Sequence, residues 1–154
     1  MQTAGEKLVT HWQADGLFIQ SGVTEDQIQA FERKFHVTLP SDLRAYFLLV
    51  DGMNMFSYDY DDKRGFSFWP LKKIVTAQEE LKRLSIAPIP TGLESYFIFA
   101  DYLQWCWAYA IYLSPDVNAK NRVITIGTAA DIEVAGSFTE FVDLYIADAP
   151  ILYG

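Results

Sequence analysis

The chain has 154 residues, of which 51% are apolar and 21% charged, so it can form a folded core and is not disordered. Its formal net charge of −8 disfavours binding to nucleic acid or anionic lipid, and it either attracts a basic partner or serves solubility alone. A single cysteine excludes an internal disulfide framework and a multi-cysteine metal site.

No repeat or linker-like stretch divides the sequence, which predicts one domain over residues 1–154 with residues 1–23 as an N-terminal arm or helix. No apolar run approaches the roughly 20 residues needed to cross a bilayer. Residues 1–16 lack the charged start and apolar block of a secretory signal. We therefore expect a soluble protein of the cytoplasm.

The first well-marked helix begins after residue 23. Thr24 and Gln27 have the spacing of a capping box, in which each side chain bonds to a backbone amide of the other residue. Ile28, Phe31 and Phe35 then recur on one helical face. This amphipathic pattern predicts a helix that packs on the core through its phenylalanines.

A second short helix follows a leucine-proline elbow. Pro40 disfavours a helical conformation at Leu39 and so ends the first helix. Ser41 is expected to cap the next helix, with Asp42 adding a favourable charge in its first turn. The second helix is expected to close at 51–52, an Asp-Gly pair.

The middle of the chain predicts strands. Residues 55–58 and 65–69 indicate a hairpin with a polar turn at 59–64, and a third helix is expected to start at Pro70. Strands are then predicted at 96–100, 105–113, 122–126 and 131–134. Short polar turns between consecutive strands favour an antiparallel meander.

A closing helix completes the predicted fold. Ser137 and Glu140 repeat the capping-box spacing ahead of an apolar stripe. With helices near both chain ends and strands between them, the sequence predicts an α+β fold. The expected architecture is a central antiparallel sheet of about four to six strands, with helices from both chain ends packed on it.

The residue types of a thiol nucleophile are present, but their surroundings favour another interpretation. A histidine, His11 or His36, could hold Cys106 as a thiolate. However, Cys106 lies between two tryptophans in the most apolar strand, where a thiol is expected to be a small buried hydrophobe. His36 follows a helix end, where its role is expected to be structural. The sequence therefore predicts no catalytic residue.

The polar turn invites a metal-site interpretation. Asp59, Asp61 and Asp62 could supply oxygen ligands for Ca²⁺ or Mg²⁺. The segment lacks the glycine and the acidic residue that an EF-hand loop requires at its sixth and twelfth positions. A solvated hairpin tip is the simpler interpretation, and a partner-docking loop is the functional one, because Tyr58 and Tyr60 add contact area. No metal or cofactor is predicted.

The most informative strand is the aromatic one. Alternation places Trp105, Trp107 and Tyr109 on one face and Cys106, Ala108 and Ala110 on the other. Because small residues allow close packing, the cysteine-alanine face is assigned to the helices. The aromatic face is then either covered as part of the core or left partly exposed as a binding platform.

The ordered motifs resemble the SUKH superfamily, the Smi/Knr-type proteins. The pattern is an Ile-Xaa-Xaa-Phe-Glu helix, a Leu-Pro elbow, a helix ending near an Asn-Gly pair, and an aromatic closing helix. The residues that carry it are Ile28, Phe31, Glu32, Leu39, Pro40, Phe47, Asp51, Gly52, Phe138 and Phe141. Two departures are that Asp51 stands where the family usually has asparagine, and that residues 101–105 replace glycine or polar residues between central strands.

The resemblance implies an α+β fold without an active site. Many bacterial members are immunity proteins that bind and neutralise a toxin, often a basic nuclease, and fungal members are regulatory scaffolds. We therefore expect a protein partner with a basic surface, and neither nucleic acid nor membrane. The alternative is a regulatory scaffold or small-ligand-binding protein unconnected with a toxin. The expected partner-binding residues are Tyr58, Asp59, Tyr60, Asp61, Asp62, Asp101, Trp105, Trp107 and Tyr109.

Overall fold

The structure is a computed structural model that describes residues 1–53, 62–128 and 131–153. Its α-helices are α1 (Ala4–Ala14), α2 (Glu25–Phe35), α3 (Ser41–Leu49), α4 (Ala77–Arg83) and α5 (Phe138–Ile146). Its strands are β1 (Ile19–Ser21), β2 (Val50–Met53), β3 (Phe66–Phe68), β4 (Tyr96–Tyr102), β5 (Trp107–Tyr112), β6 (Val123–Ile126) and β7 (Glu133–Ala135). Short 3-10 helices cover Leu71–Lys73 and Pro150–Tyr153.

The core of the fold is a five-stranded antiparallel sheet. Its strand order is β3-β4-β5-β6-β7, so each strand pairs with the next along the chain. Strands β1 and β2 form a separate antiparallel pair. The predicted α+β class and the antiparallel meander are therefore confirmed.

One face of the sheet is covered by helices from both chain ends. Tyr109 of β5 packs on Phe141 of α5, with ring centroids 5.1 Å apart. Phe68 of β3 meets Trp12 of α1 at 5.2 Å. Further along the same face, the α2 residue Phe35 packs edge-on against Phe97 of β4 at 5.1 Å. These rings join the helices and the sheet in one core.

Helix α4 lies against the opposite face. Ala100 of β4 pairs with Tyr109 and therefore shares its face of the sheet. Neighbouring residues of a strand point to opposite faces, so Asp101 points to the α4 side. Its carboxylate accepts a hydrogen bond from Trp69 Nε1 at 2.7 Å. The expected assignment of the two faces of β5 was therefore wrong, since the helices of the chain ends cover the Tyr109 face. Ala108 and Ala110 are also fully buried.

The predicted N-terminal cap is confirmed at α2 but not at α3. Thr24 forms the complete capping box expected at α2. Pro40, however, is the N-cap of α3 and no side chain caps it, so the predicted cap by Ser41 was wrong. Asp42 instead accepts hydrogen bonds from the backbone and hydroxyl of Thr139, at 2.9 and 2.8 Å. This carboxylate ties the start of α3 to α5.

The closing helix has half of its predicted capping box. The Ser137 hydroxyl accepts from the Glu140 amide at 3.0 Å. The Glu140 carboxylate accepts from the Gly136 amide at 3.2 Å, and so satisfies the amide before the cap. The hydroxyl cap is confirmed, while the reciprocal bond is displaced by one residue.

The region after α3 was only partly predicted. Helix α3 ends at Leu49, and the Asp-Gly pair lies within β2. Strand β3 pairs with β4. The hairpin partner predicted at 55–58 lies outside the described residues. The predicted third helix is divided, because the 3-10 helix Leu71–Lys73 precedes α4, and Thr76 caps α4 through its hydroxyl.

The residues of the family pattern have structural roles. Glu32 accepts the Leu39 amide at 2.8 Å through one carboxylate oxygen and Arg44 Nη2 at 2.6 Å through the other. Asp51 Oδ1 accepts the Leu71 amide at 2.7 Å. The buried members of the pattern are Ile28, Phe31, Leu39, Phe47, Gly52, Phe138 and Phe141. The motif therefore fixes an elbow, a strand connection and the core.

Candidate functional site

One end of the sheet carries a concentration of partly exposed aromatic side chains. We call this surface the aromatic end and define it by Tyr102, Trp105, Trp107 and Tyr153. It is built around the turn between β4 and β5, with Tyr153 added by the C-terminal 3-10 helix. Leu103 and Ile151 beside these rings in sequence are 48% and 43% exposed. Exposed apolar side chains next to aromatic rings are typical of protein-binding surfaces.

The rings on the α5 side of the aromatic end support one another. Tyr102 lies 4.7 Å from Trp107 and 5.4 Å from Tyr153, measured between ring centroids. Trp107 Nε1 donates to the hydroxyl of Tyr109 at 2.9 Å, and that hydroxyl donates to the Leu152 carbonyl at 2.6 Å. A hydrogen-bonded chain therefore links the surface tryptophan to the C-terminal segment.

The turn between β4 and β5 has an unusual backbone. Leu103, Gln104 and Trp105 have φ angles of 48°, 52° and 70°, which form three successive left-handed residues without a glycine. Such conformations cost free energy and persist only where surrounding contacts enforce them. Here the Leu103 amide donates to the Gly65 carbonyl at 2.9 Å, and the Cys106 amide donates to the Tyr102 carbonyl at 2.8 Å.

Two buried carboxylates hold Trp105 on the α4 side. Glu80 of α4 accepts Trp105 Nε1 at 3.0 Å, and Asp101 accepts the Trp105 amide at 3.3 Å. Arg83 donates two hydrogen bonds of 2.8 Å to Glu80. The ammonium of Lys73 lies 4.1 Å from the centre of the Trp69 ring. The two carboxylates, with their cationic neighbours, thus hold the Trp105 side chain in position on the α4 side.

The two carboxylates have opposite pKa shifts. Burial raises the pKa of Asp101, and the hydrogen bond from Trp69 only partly offsets this effect. Arg83 lowers the pKa of Glu80, with burial acting in the other direction. Burial also lowers the pKa of Lys73. Glu80 is therefore the more firmly ionised of the two acids, because it has the stronger cationic partner.

A second network anchors the segment that leads into β3. Asp62 accepts the amides of Arg64 and Phe66 at 2.8 and 2.9 Å, and the Tyr145 hydroxyl donates to its second oxygen. The guanidinium of Arg64 lies 4.7 Å from the centre of the Tyr145 ring and 2.7 Å from Asp148 Oδ1.

Asp148 brings this network to the aromatic end. The Tyr153 hydroxyl donates to Asp148. That hydrogen bond and the one from Arg64 lower the pKa of Asp148. Burial and the hydrogen bond to Asp148 raise the pKa of Tyr153 to about 12. The exposed carboxylate of Asp148 therefore stays ionised beside the rings.

The structure places the predicted partner-binding residues in three groups. Residues 58–61, which are Tyr58, Asp59, Tyr60 and Asp61, lie outside the described residues. Asp62, Asp101 and Tyr109 are buried, so they were wrongly expected at an accessible surface; their polar atoms bond inside the fold. Trp105 and Trp107 are half-buried at the aromatic end.

The two tryptophans lie on opposite sides of the sheet end, although alternation predicted a shared face. Trp105 precedes β5 and has a left-handed backbone, so the period of two does not extend to it. Its ring lies on the α4 side, whereas Trp107 packs against Tyr102 on the α5 side.

Sequence reasoning missed Tyr102, Tyr153 and Glu80. Tyr102 lies beyond the end of the strand predicted at 96–100, so the strand pattern carried no sign of its neighbours. Tyr153 is brought to this surface by the C-terminal 3-10 helix. Glu80 has the i, i+3 spacing to Arg83 of a helical ion pair, and this spacing could have marked the pair but not its contact with Trp105.

The thiol and the histidines do not form a catalytic pair. Cys106 is exposed, not buried as predicted, because it lies in the turn before β5. His11 contacts Asp15, Arg64 and the Tyr145 ring, while His36 is the left-handed C-cap of α2. Within residues 1–53, 62–128 and 131–153, no hydrogen bond joins Cys106 to either imidazole.

The described residues contain no cluster of three or more histidine, cysteine or acidic residues placed to hold a metal ion. Among the helices of the same residues, none has the length and apolar character needed to span a membrane.

Comparison with known proteins places this geometry in a family. None of the curated proteins compared with the chain matches it. The family model described as the SMI1 / KNR4 family (SUKH-1) matches residues 22–144, from just before α2 to within α5. That range contains the elbow, the Asp-Gly pair and the whole five-stranded sheet. The chain therefore belongs to the SMI1/KNR4 family (SUKH-1).

Proposed function

We propose that this chain is a non-catalytic protein-binding domain that acts as a bacterial immunity protein, neutralising a cognate toxin by covering its surface. The observation that carries the proposal is the aromatic end, where half-exposed rings are fixed by ring contacts and hydrogen bonds. A surface that is already ordered loses little side-chain entropy on binding. Tryptophan and tyrosine are also the residues most enriched among binding hot spots.

Charge and family membership support the same function. The net charge of −8 attracts a basic partner and accelerates its capture. The exposed carboxylate of Asp148 lies beside Tyr153 at the aromatic end, where it would meet such a partner. The SUKH-1 family includes immunity proteins, so the proposed class of partner is a toxin, with a basic nuclease as the form that best matches the charge.

Co-expression with the product of the neighbouring gene tests the proposal. We expect the two proteins to co-purify and the chain to restore growth of cells that express that product. Failure of both would exclude the immunity function and leave the regulatory-scaffold alternative.

A matched pair of variants then locates the contact surface. Trp107→Ala should weaken binding by at least about tenfold, as loss of a hot-spot side chain does. Tyr112→Ala is the control, because it removes another half-buried ring from β5 at the opposite end of that strand. Both variants are checked by circular dichroism. Equal effects of the two would contradict a contact at the aromatic end.

A further inference from the structure

A surface groove separate from the aromatic end lies between α2 and the 3-10 helix Leu71–Lys73. Its volume is about 350 Å³, which falls at the lower end of the range of about 300–1,000 Å³ for ligand pockets. Phe31, Leu71 and Ile74 are buried residues that line it, and Phe35 is half-buried beside them. The groove therefore has an apolar floor, and its size suits a small molecule.

The charged residues of the groove are arranged unevenly. Lys34 reaches it from α2 and Lys72 from the opposite wall, while Asp51 supplies one carboxylate. Among the described residues that line the groove, two cations and one anion give a net charge of +1, in a chain whose net charge is −8. This local reversal favours an anionic ligand.

Asp51 is already engaged in the fold. Its Oδ1 accepts the Leu71 amide at 2.7 Å. Burial raises the pKa of Asp51, and the bond from the Leu71 amide and the positive charge of Lys72 only partly offset this effect. Lys34 differs, because within the described residues it forms no ion pair. Its ammonium lies 5.1 Å from the centre of the Phe35 ring, at the edge of the apolar floor. The anionic head group of a ligand would therefore contact Lys34, while the apolar part of the same ligand would cover the rings of Phe31 and Phe35.

We propose that the groove between α2 and the Leu71–Lys73 turn binds a small amphipathic carboxylate, with its apolar chain on Phe31, Phe35, Leu71 and Ile74 and its carboxylate at Lys34. The site is independent of the proposed toxin contact, since none of the four residues that define the aromatic end lines it. It adds a ligand class to a chain whose other proposed partner is a protein.

Titration with sodium octanoate, followed by ¹H–¹⁵N correlation spectra and calorimetry, tests the proposal directly. We expect saturable binding, with shifts concentrated in residues 27–35 and 71–74. Octanol and octylammonium have the same chain length, and both should bind at least about tenfold more weakly, because a charge-assisted hydrogen bond is lost or replaced by repulsion. Absence of octanoate binding, equal binding of octanol, or shifts centred elsewhere would overturn the proposal.

Variants separate the charge from the apolar floor. Lys34→Glu should weaken octanoate binding by at least about tenfold. Lys82→Glu is the control, since it makes the same exchange at an exposed position of α4 that does not line the groove. Ala30→Phe fills the groove from an exposed position on α2 and should abolish binding without unfolding the chain. Equal effects of Lys34→Glu and Lys82→Glu would also overturn the proposal.

Discussion

Leu39 illustrates how a single side chain supports the elbow between α2 and α3. Its amide is held by Glu32 and its side chain is 4% exposed. The residue before a proline is restricted to extended conformations, so this backbone geometry is set locally. The burial of the side chain, in contrast, depends on the sheet and helices around it.

Leu39→Ala should lower the free energy of unfolding by about 2–5 kcal/mol, because it removes buried methyl groups and leaves a cavity. Urea unfolding followed by circular dichroism measures this change. Leu48→Ala is the control, since Leu48 is 42% exposed and its truncation should change stability by less than about 0.5 kcal/mol. Similar losses for both variants would show that Leu39 is not a core residue.

The opposite pKa shifts of Asp101 and Glu80 predict opposite dependences of stability on pH. A carboxyl whose native pKa is raised binds more protons in the folded state, so stability falls as pH rises from the unfolded pKa to the native pKa. Burial places Asp101 in this class. Arg83 places Glu80 in the other class, in which stability is lost as pH falls through the lowered native pKa.

Melting temperatures of Asp101→Asn and Glu80→Gln between pH 3 and pH 7 measure the two effects. Relative to wild type, Asp101→Asn should gain stability as pH rises above the unfolded value of about 3.9. Glu80→Gln should lose stability relative to wild type as pH rises from its lowered native pKa toward about 4.3. Parallel curves for the two variants would contradict the assigned shifts.

At the scale of the elements, the close approach of β2 to the end of β3 depends on one glycine. Gly52 has a φ angle of +66°, and a Cβ atom there would lie 2.7 Å from the backbone oxygens of Phe68 and Trp69. The pair of residues 51–52 thus combines a carboxylate that binds a backbone amide with a glycine that allows close approach. This explains the role of the motif in the fold.

Gly52→Ala should destabilise the chain by more than Gly92→Ala. Gly92 also has a positive φ angle, of +86°, but no atom lies within 4 Å of the position of an added Cβ. Gly92→Ala therefore carries only the left-handed cost of about 1–2 kcal/mol. Thermal unfolding of both variants compares them, and an equal loss at the two positions would argue against the close contact at Gly52.

For the whole molecule, the net charge should control how fast a basic partner binds. Surface charges are screened over about 10 Å at 0.1 M salt and about 3 Å at 1 M. The association rate constant with the co-purifying partner should therefore fall by at least about tenfold between low salt and 0.5 M salt. Stopped-flow or surface-based kinetics measure it.

Truncation of a ring at the aromatic end should act on a different rate constant. Trp107→Ala should mainly raise the dissociation rate constant, because loss of packing affects the bound state more than the encounter. An association rate constant that does not change with salt would contradict electrostatic capture, whatever the variant shows.

Local sequence signals were enough to predict the α+β class and the strands of the five-stranded sheet. Caps at Thr24 and Ser137, the elbow at Pro40 and the alternation within β5 are local signals, and local backbone chemistry accounts for them. The family pattern could be read from the same residues, since most of them are buried or bond to the backbone.

Which side chains lie together at a surface depended on the packing of distant elements. The burial of Asp62, Asp101 and Tyr109, and the separation of Trp105 from Trp107, follow from contacts between elements far apart in the chain. Residues 103–105 adopt left-handed conformations that alternation cannot predict, because contacts with Gly65, β4 and α4 enforce them. The period of a strand assigns two faces, but what covers each face depends on where the helices pack.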